Sequence, residues 1–360
     1  MRLSETFCRQ VADADPLGAD RQLARLPELN RRADLPGLVG LFAQLLDAVP
    51  RAPLAGTIDR LAALRDLGMP LGSLRRHGVE PLTALPSAEP VLLRLGESVG
   101  MVPRDTVLHY GAWNPPGPRQ RMYTGAAEEN VLIHSVRVGA PAVERAALAL
   151  ARLAELDPAR PEYAEALVVA AEQFAPLPEV IGAVAERVDP AAFFTARLRP
   201  YMEQVRVGGH LYYGPAAAHL PLHLIDQLLW SSDRTDPEHL ALQNDLLDYG
   251  LPDWALLYHK RAGGESAVTA VVRALHAAGP EASPTLLRSA HGVAELLRAL
   301  VVFRGRHLRL VREAYTEDTP FQAGSAGAAP EVVRLLLDLT RACERWLAVP
   351  VNAAGGAPRP

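Results

Sequence analysis

Residues 296–314, LLRALVVFRGRHLRLVREA, put a single histidine, His307, inside an apolar helical stripe. At 3.6 residues per turn, Leu296, Leu300, Phe303, His307, Leu310 and Ala314 share one face. Arg298, Gly305, Arg309 and Arg312 fall opposite. The helix is expected to open at Ser283-Pro284, because serine caps a helix start and proline fits the first turn, where no N–H is needed. It should run to about Ala314, with a small-residue turn, Gly324-Ser325-Ala326-Gly327, shortly after it.

An imidazole on a core-facing stripe has two readings from the residues alone. One is a core histidine whose nitrogens are satisfied by hydrogen bonds. The other is a metal ligand. Haem iron needs one protein ligand on its proximal side, apolar walls, and cations for its propionates. Arg304 and Arg306 flank His307 and suit either those propionates or a solvated surface.

Outward from this helix, helical periodicity dominates and strand alternation is nearly absent, so the expected fold class is all-α. Helices are expected over 36–48, 57–66, 89–97, 127–156, 161–188, 190–201, 219–231, 237–248, 252–262, 266–278 and 330–346. Breaks are expected at Met69-Pro70-Leu71-Gly72, at Gly139-Ala140-Pro141 and at Pro176 to Pro178, since proline removes a helix bond. Residues 110–125, with three prolines and three glycines, read as a loop carrying Tyr110, Trp113 and Tyr123. Residues 205–215 read as irregular. The division expected is an N-terminal helical region, 1–125, a larger helical domain, 126–348, and a tail, 349–360, too poor in apolar surface to order itself.

Composition narrows the classes. The chain has 360 residues, 49% hydrophobic and 22% charged, enough for a large core. A net charge of -4 gives no basic field to draw it to nucleic acid or anionic lipid. Its two cysteines, Cys8 and Cys343, lie at opposite ends and form no CxxC. No signal-like start and no run of about 18 apolar residues is present, so no membrane partner is expected and a cytoplasmic location is. No P-loop, dinucleotide fingerprint or nucleophile elbow occurs. His219, His223 and Asp226 have zinc-ligand spacing on one helix face, but lack the glutamate of a protease motif.

Several blocks together resemble one family. Arg304-x-x-His307 followed by Gly324-Ser325-Ala326-Gly327 is similar to the haem helix and loop of the tryptophan and indoleamine 2,3-dioxygenase superfamily. Residues 26–41, 71–82, 106–115, 123–138 and 193–209 resemble, in order, the monodechloroaminopyrrolnitrin synthase family within it. The resemblance spans about residues 20 to 345.

It implies a helical haem-binding domain of the indoleamine dioxygenase type and a haem-dependent enzyme. The substrate would be tryptophan or a substituted tryptophan, a halogenated one included, transformed with dioxygen or a reduced oxygen species in antibiotic biosynthesis. Product of the N-formylkynurenine type, or a non-catalytic haem carrier, are the alternatives. The resemblance makes His307 the proximal ligand of a non-covalent haem b; Val311 stands where a related branch attaches haem through cysteine. Tyr315, Ser325 and Arg199 match substrate-binding positions, Arg199 as a bidentate carboxylate clamp with Arg206 as the fallback. His134 and Ser135 match the distal side as catalytic candidates. Neighbours on a helix differ by about 100°, so one of the two is expected to face the iron.

Overall fold

Ser283 caps the longest helix, accepting a hydrogen bond from the Leu286 N–H at 3.2 Å, and Pro284 occupies its first turn. The helix then runs unbroken from Pro284 to Ala314. Leu296, Leu297, Leu300 and Phe303 are buried along it, each leucine contributing about 1.5–3 kcal/mol by leaving water. In this computed structural model, the described residues are 1–355 apart from Thr235, Glu317, Asp318, Pro320, Gln322, Ala323 and 326–329.

Around that helix the protein is all-α. It packs against Pro330–Gly355, Pro161–Phe174 and Pro176–Arg187, and the latter two pack against Ala127–Ala151. Two hydrophobic clusters fill the interior. One joins Leu3, Val11, Trp113 and Val143 to Leu296 and Leu300. The other joins Leu38, Phe42, Leu67 and Leu74 to Phe193, Leu198 and Val205. Each cluster takes residues from both sides of residue 125, and helix 57–76 feeds both.

Four local expectations are corrected. Residues Thr57–Arg76 form one helix through Pro70, where a break is expected. Arg65, which interrupts the stripe in sequence, is 1% exposed because the fold gives its guanidinium full partners. It donates to the carbonyls of Val11, Ala14 and Trp113 and pairs with Asp66 at 2.8 Å. Helix 127–151 likewise runs through Pro141, with Ala140, Ala142, Val143 and Ala146 buried on both sides of it.

Residues 205–215 contain a hairpin, Val205–Val207 against His210–Tyr212. Gly208 and Gly209, at φ 57° and 81°, supply the two left-handed residues that such a tight turn needs. The last helix extends to Gly355, past residue 348, and Val351 packs on the first cluster, which explains the added order.

By length and composition, Pro161–Arg187 is apolar enough to cross a membrane, with hydropathy 1.4. Here it is two helices meeting at Ala175, with Tyr163, Leu167, Ala170, Phe174 and Leu177 turned into the core.

Candidate active site

The His307 imidazole has no hydrogen-bond partner among the described residues, and it lines two adjoining cavities of about 170 and 180 Å³. Ser135, Val136, Ala217, Ala218 and Val333 line both with it, so the two spaces share a wall. The first is walled by Leu177, Val180, Ile181, Leu220, Phe303 and Leu336, with His223 and His239 as its polar rim. The second holds Tyr110, Tyr315, Gly324 and Ser325.

Burial, and then the Arg304 charge, hold the His307 pKa down to about 4. The ring is therefore neutral at pH 7 and keeps a free lone pair, the form in which imidazole binds a metal. An unpartnered neutral imidazole on an apolar wall is the donor that a haem iron requires. Among the described residues no three His, Cys, Asp or Glu side chains gather as a metal cluster; His307 alone, on an apolar wall, has the donor character of single-histidine haem ligation.

Two of the three zinc-spaced residues are engaged elsewhere. His219 stacks on Tyr249, centroids 4.1 Å apart and 9° between planes. Asp226 accepts from Trp230 Nε1 at 2.9 Å and forms a buried ion pair with Arg304. His223 faces the first cavity, and neither ring nitrogen has a hydrogen bond.

The expected propionate cations are likewise engaged. Arg304 is 4% exposed and bound to Asp226 and Thr340. Arg306 points outward and donates to the Pro178 carbonyl at 2.6 Å. Arg304 is therefore committed inside the fold, while Arg306 keeps its remaining N–H donors on the surface, and neither lines the second cavity.

Ser135 and His134 separate as the helical rotation requires. Ser135 lines both cavities, its hydroxyl donating to the Leu132 carbonyl at 2.7 Å. His134 is exposed and lines neither. Tyr315 closes the long helix and lines the second cavity, and burial raises its hydroxyl pKa, so it stays protonated. Ser325 is on the same wall, while Ala326 and Gly327 lie outside the described residues.

Arg199 stands one layer back. It lines neither cavity; it pairs with Glu203 at 2.6 Å, reaches the Gly324 carbonyl at 3.4 Å, and lies 4.5 Å over the Phe321 ring. Its charge lies close enough to Tyr315 to pull against the rise that burial gives that phenol's pKa. Its Nε is buried without a partner. Arg206 is exposed on the hairpin and donates to the Gly209 carbonyl, which removes the fallback clamp.

Sequence reasoning gave Tyr110 and His239 no place on these walls and weighed His223 only as a zinc-spaced residue. Tyr110 was legible only as loop aromatic weight, and His239 carries no spacing signal.

The profile of the family described as monodechloroaminopyrrolnitrin synthase PrnB matches residues 15–348. The chain belongs to that family. This is a family of enzymes, and membership places the chain with synthases of the pyrrolnitrin pathway, whose substrate derives from tryptophan. The PrnB match covers His307, Ser135, Tyr315 and Ser325, all on one continuous cavity wall.

Proposed function

We propose that this protein is a haem-dependent enzyme that transforms tryptophan or a halogenated tryptophan, with haem b held non-covalently by His307. The observation that carries the reading is the neutral, unpartnered His307 ring on a cavity that also holds Ser135, Tyr315 and Ser325. When bound, haem supplies the redox chemistry with dioxygen or a reduced oxygen species, and the protein supplies position and polarity.

The chain's own residues divide that work. Val107, Leu132, Phe194, Met202 and Val333 offer apolar surface to an indole and exclude water from it. The Tyr315 hydroxyl and the Ser325 hydroxyl offer polar contacts to the amino-acid end. Arg199 acts through Tyr315 and the Gly324 carbonyl, fixing the wall to which the substrate docks. Its unpaired Nε–H is the donor left for a substrate carboxylate should the wall open to it. Ser135, with its proton given to the Leu132 carbonyl, has acceptor capacity to spare, and from the shared wall it accepts a hydrogen bond from a proton-bearing group and holds it in place. Correct aim of the ring is worth several powers of ten in rate.

The test is incubation of hemin-reconstituted protein with tryptophan and with 7-chlorotryptophan, followed by product mass. A rearranged product supports the synthase reading. Substrate plus both atoms of dioxygen identifies the N-formylkynurenine type instead, and no conversion with bound haem refutes an enzyme.

A further inference from the structure

Tyr110, Tyr123 and Tyr201 form one stacked column. Ring centroids are 5.6 Å apart between the first two and 4.7 Å between the second pair, with planes at 29° and 15°. Tyr110 lines the cavity that holds His307 and Tyr315. Tyr123 and Tyr201 do not line it, and the three rings are 4%, 0% and 6% exposed.

Packing alone explains three rings but not three hydroxyls. Buried hydroxyls cost desolvation unless they are bonded. The Tyr110 hydroxyl donates to Glu129 Oε1 at 2.6 Å. The Tyr123 hydroxyl is buried beside Asp105, yet neither it nor Asp105 Oδ2 has a hydrogen-bond partner. The fold keeps space for both groups. A Cβ on Gly72 would meet the Tyr123 hydroxyl at 2.6 Å, and one on Gly68 would meet the Asp105 Cβ at 2.2 Å. Phenylalanine would fill the column without any of this. Burial also raises the proton affinity of Asp105 above the ordinary carboxylate range, which makes it a better proton acceptor.

Phenols give up an electron readily when a nearby base takes the proton, and stacked rings pass the vacancy along. We propose that Tyr110, Tyr123 and Tyr201 are a one-electron relay that draws oxidising equivalents out of the His307 cavity when hydrogen peroxide is reduced there. This rests on the haem reading above.

Net, one hydrogen peroxide takes one electron and one proton from each of two tyrosines, leaving two waters and two tyrosyl radicals. Tyr110 sends its electron into the cavity and its proton to Glu129. Tyr123 refills Tyr110, which recovers its proton from Glu129, while the Tyr123 proton goes to Asp105. Tyr201 refills Tyr123, which recovers its proton from Asp105, and Tyr201 releases its own proton to solvent while the cavity draws the matching one. The second electron leaves by the same route from Tyr110, refilled by Tyr123, so the second radical rests on Tyr123 with its proton on Asp105 and the cavity draws its second proton from solvent. The relay thus moves damage from the substrate wall to the far end of the column.

Freeze-quench electron paramagnetic resonance tests this, on hemin-loaded protein mixed with one equivalent of hydrogen peroxide. The expected result is a tyrosyl signal that narrows when the protein carries ring-deuterated tyrosine. Tyr110→Phe should lose it, and Tyr201→Phe should retain a signal confined to the inner pair. Deuteration needs no substitution, so the assignment does not hang on a variant that folds. Hemin bound through His307, with no deuterium-sensitive radical or with an unchanged signal in Tyr110→Phe, overturns the relay alone. Protein that binds no hemin overturns both the relay and the haem reading.

Discussion

Arg304→Met isolates the buried ion pair that anchors the site. Arg304 and Asp226 are 4% and 3% exposed, and they tie the long helix to segment 222–226 beneath the first cavity. Removing the guanidinium leaves the Asp226 carboxylate buried with one remaining donor, Trp230 Nε1. Breaking a buried pair from one side costs about 3–5 kcal/mol, because the surviving charge stays desolvated. At roughly 2.1 cal/mol/K of unfolding entropy per residue over a chain of 360, that is a fall of about 4–7 °C in Tm. Replacing both partners, Arg304→Met with Asp226→Leu, removes the stranded charge and should recover most of the loss. The assay is thermal and urea unfolding of the two single variants and the double variant. A single variant that loses less than about 1 kcal/mol, or a double variant no more stable than the singles, refutes the claim that the pair is locked and buried.

Other consequences can be checked beside it. Gly72→Ala puts a methyl within 2.5 Å of the Tyr201 carbonyl oxygen and should destabilise by about 1–3 kcal/mol, read by urea unfolding. Tyr315→Phe should lower kcat/KM on the tryptophan-derived substrate about tenfold or more while leaving Tm nearly unchanged, and steady-state kinetics with melting would show it. Arg199→Gln loosens the Tyr315 wall without touching the cavity, so KM should rise more than kcat falls. His307 and His223 are both held near a pKa of about 4, below the ordinary 6.5. Above pH 6.5 each ring is neutral folded or unfolded; between 6.5 and 4 the unfolded chain binds protons the folded one does not, so stability falls as the pH drops through that window. His223→Leu should flatten that decline in pH-dependent unfolding, and an unchanged slope would contradict a buried neutral ring.

Much of this was legible in the sequence because its signals are local. The stripe from Leu296 to Ala314 fixes a core-facing helix, and Ser283-Pro284 marks its start. Resemblance supplied the haem reading and gathered Ser135, Tyr315 and Ser325, which do share one wall. What stayed hidden depended on tertiary partners. Arg65 reads as a stripe-breaker until three carbonyls and Asp66 are brought to it. Pro70 reads as a stop because its missing helix bond is visible in sequence, whereas the surrounding burial is not. Arg304 reads as a propionate cation until Asp226, 78 residues away, is placed against it. The Gly208-Gly209 turn was a hairpin signal in plain view, overshadowed by the helical pattern on either side.

The most direct measurement is an absorption titration of the purified protein with hemin, beside His307→Ala. The account predicts saturable binding with a histidine-ligated Soret band in the unaltered protein, and loss of that band in the variant. An identical histidine-ligated spectrum in His307→Ala, or no Soret band from the unaltered protein, would contradict it.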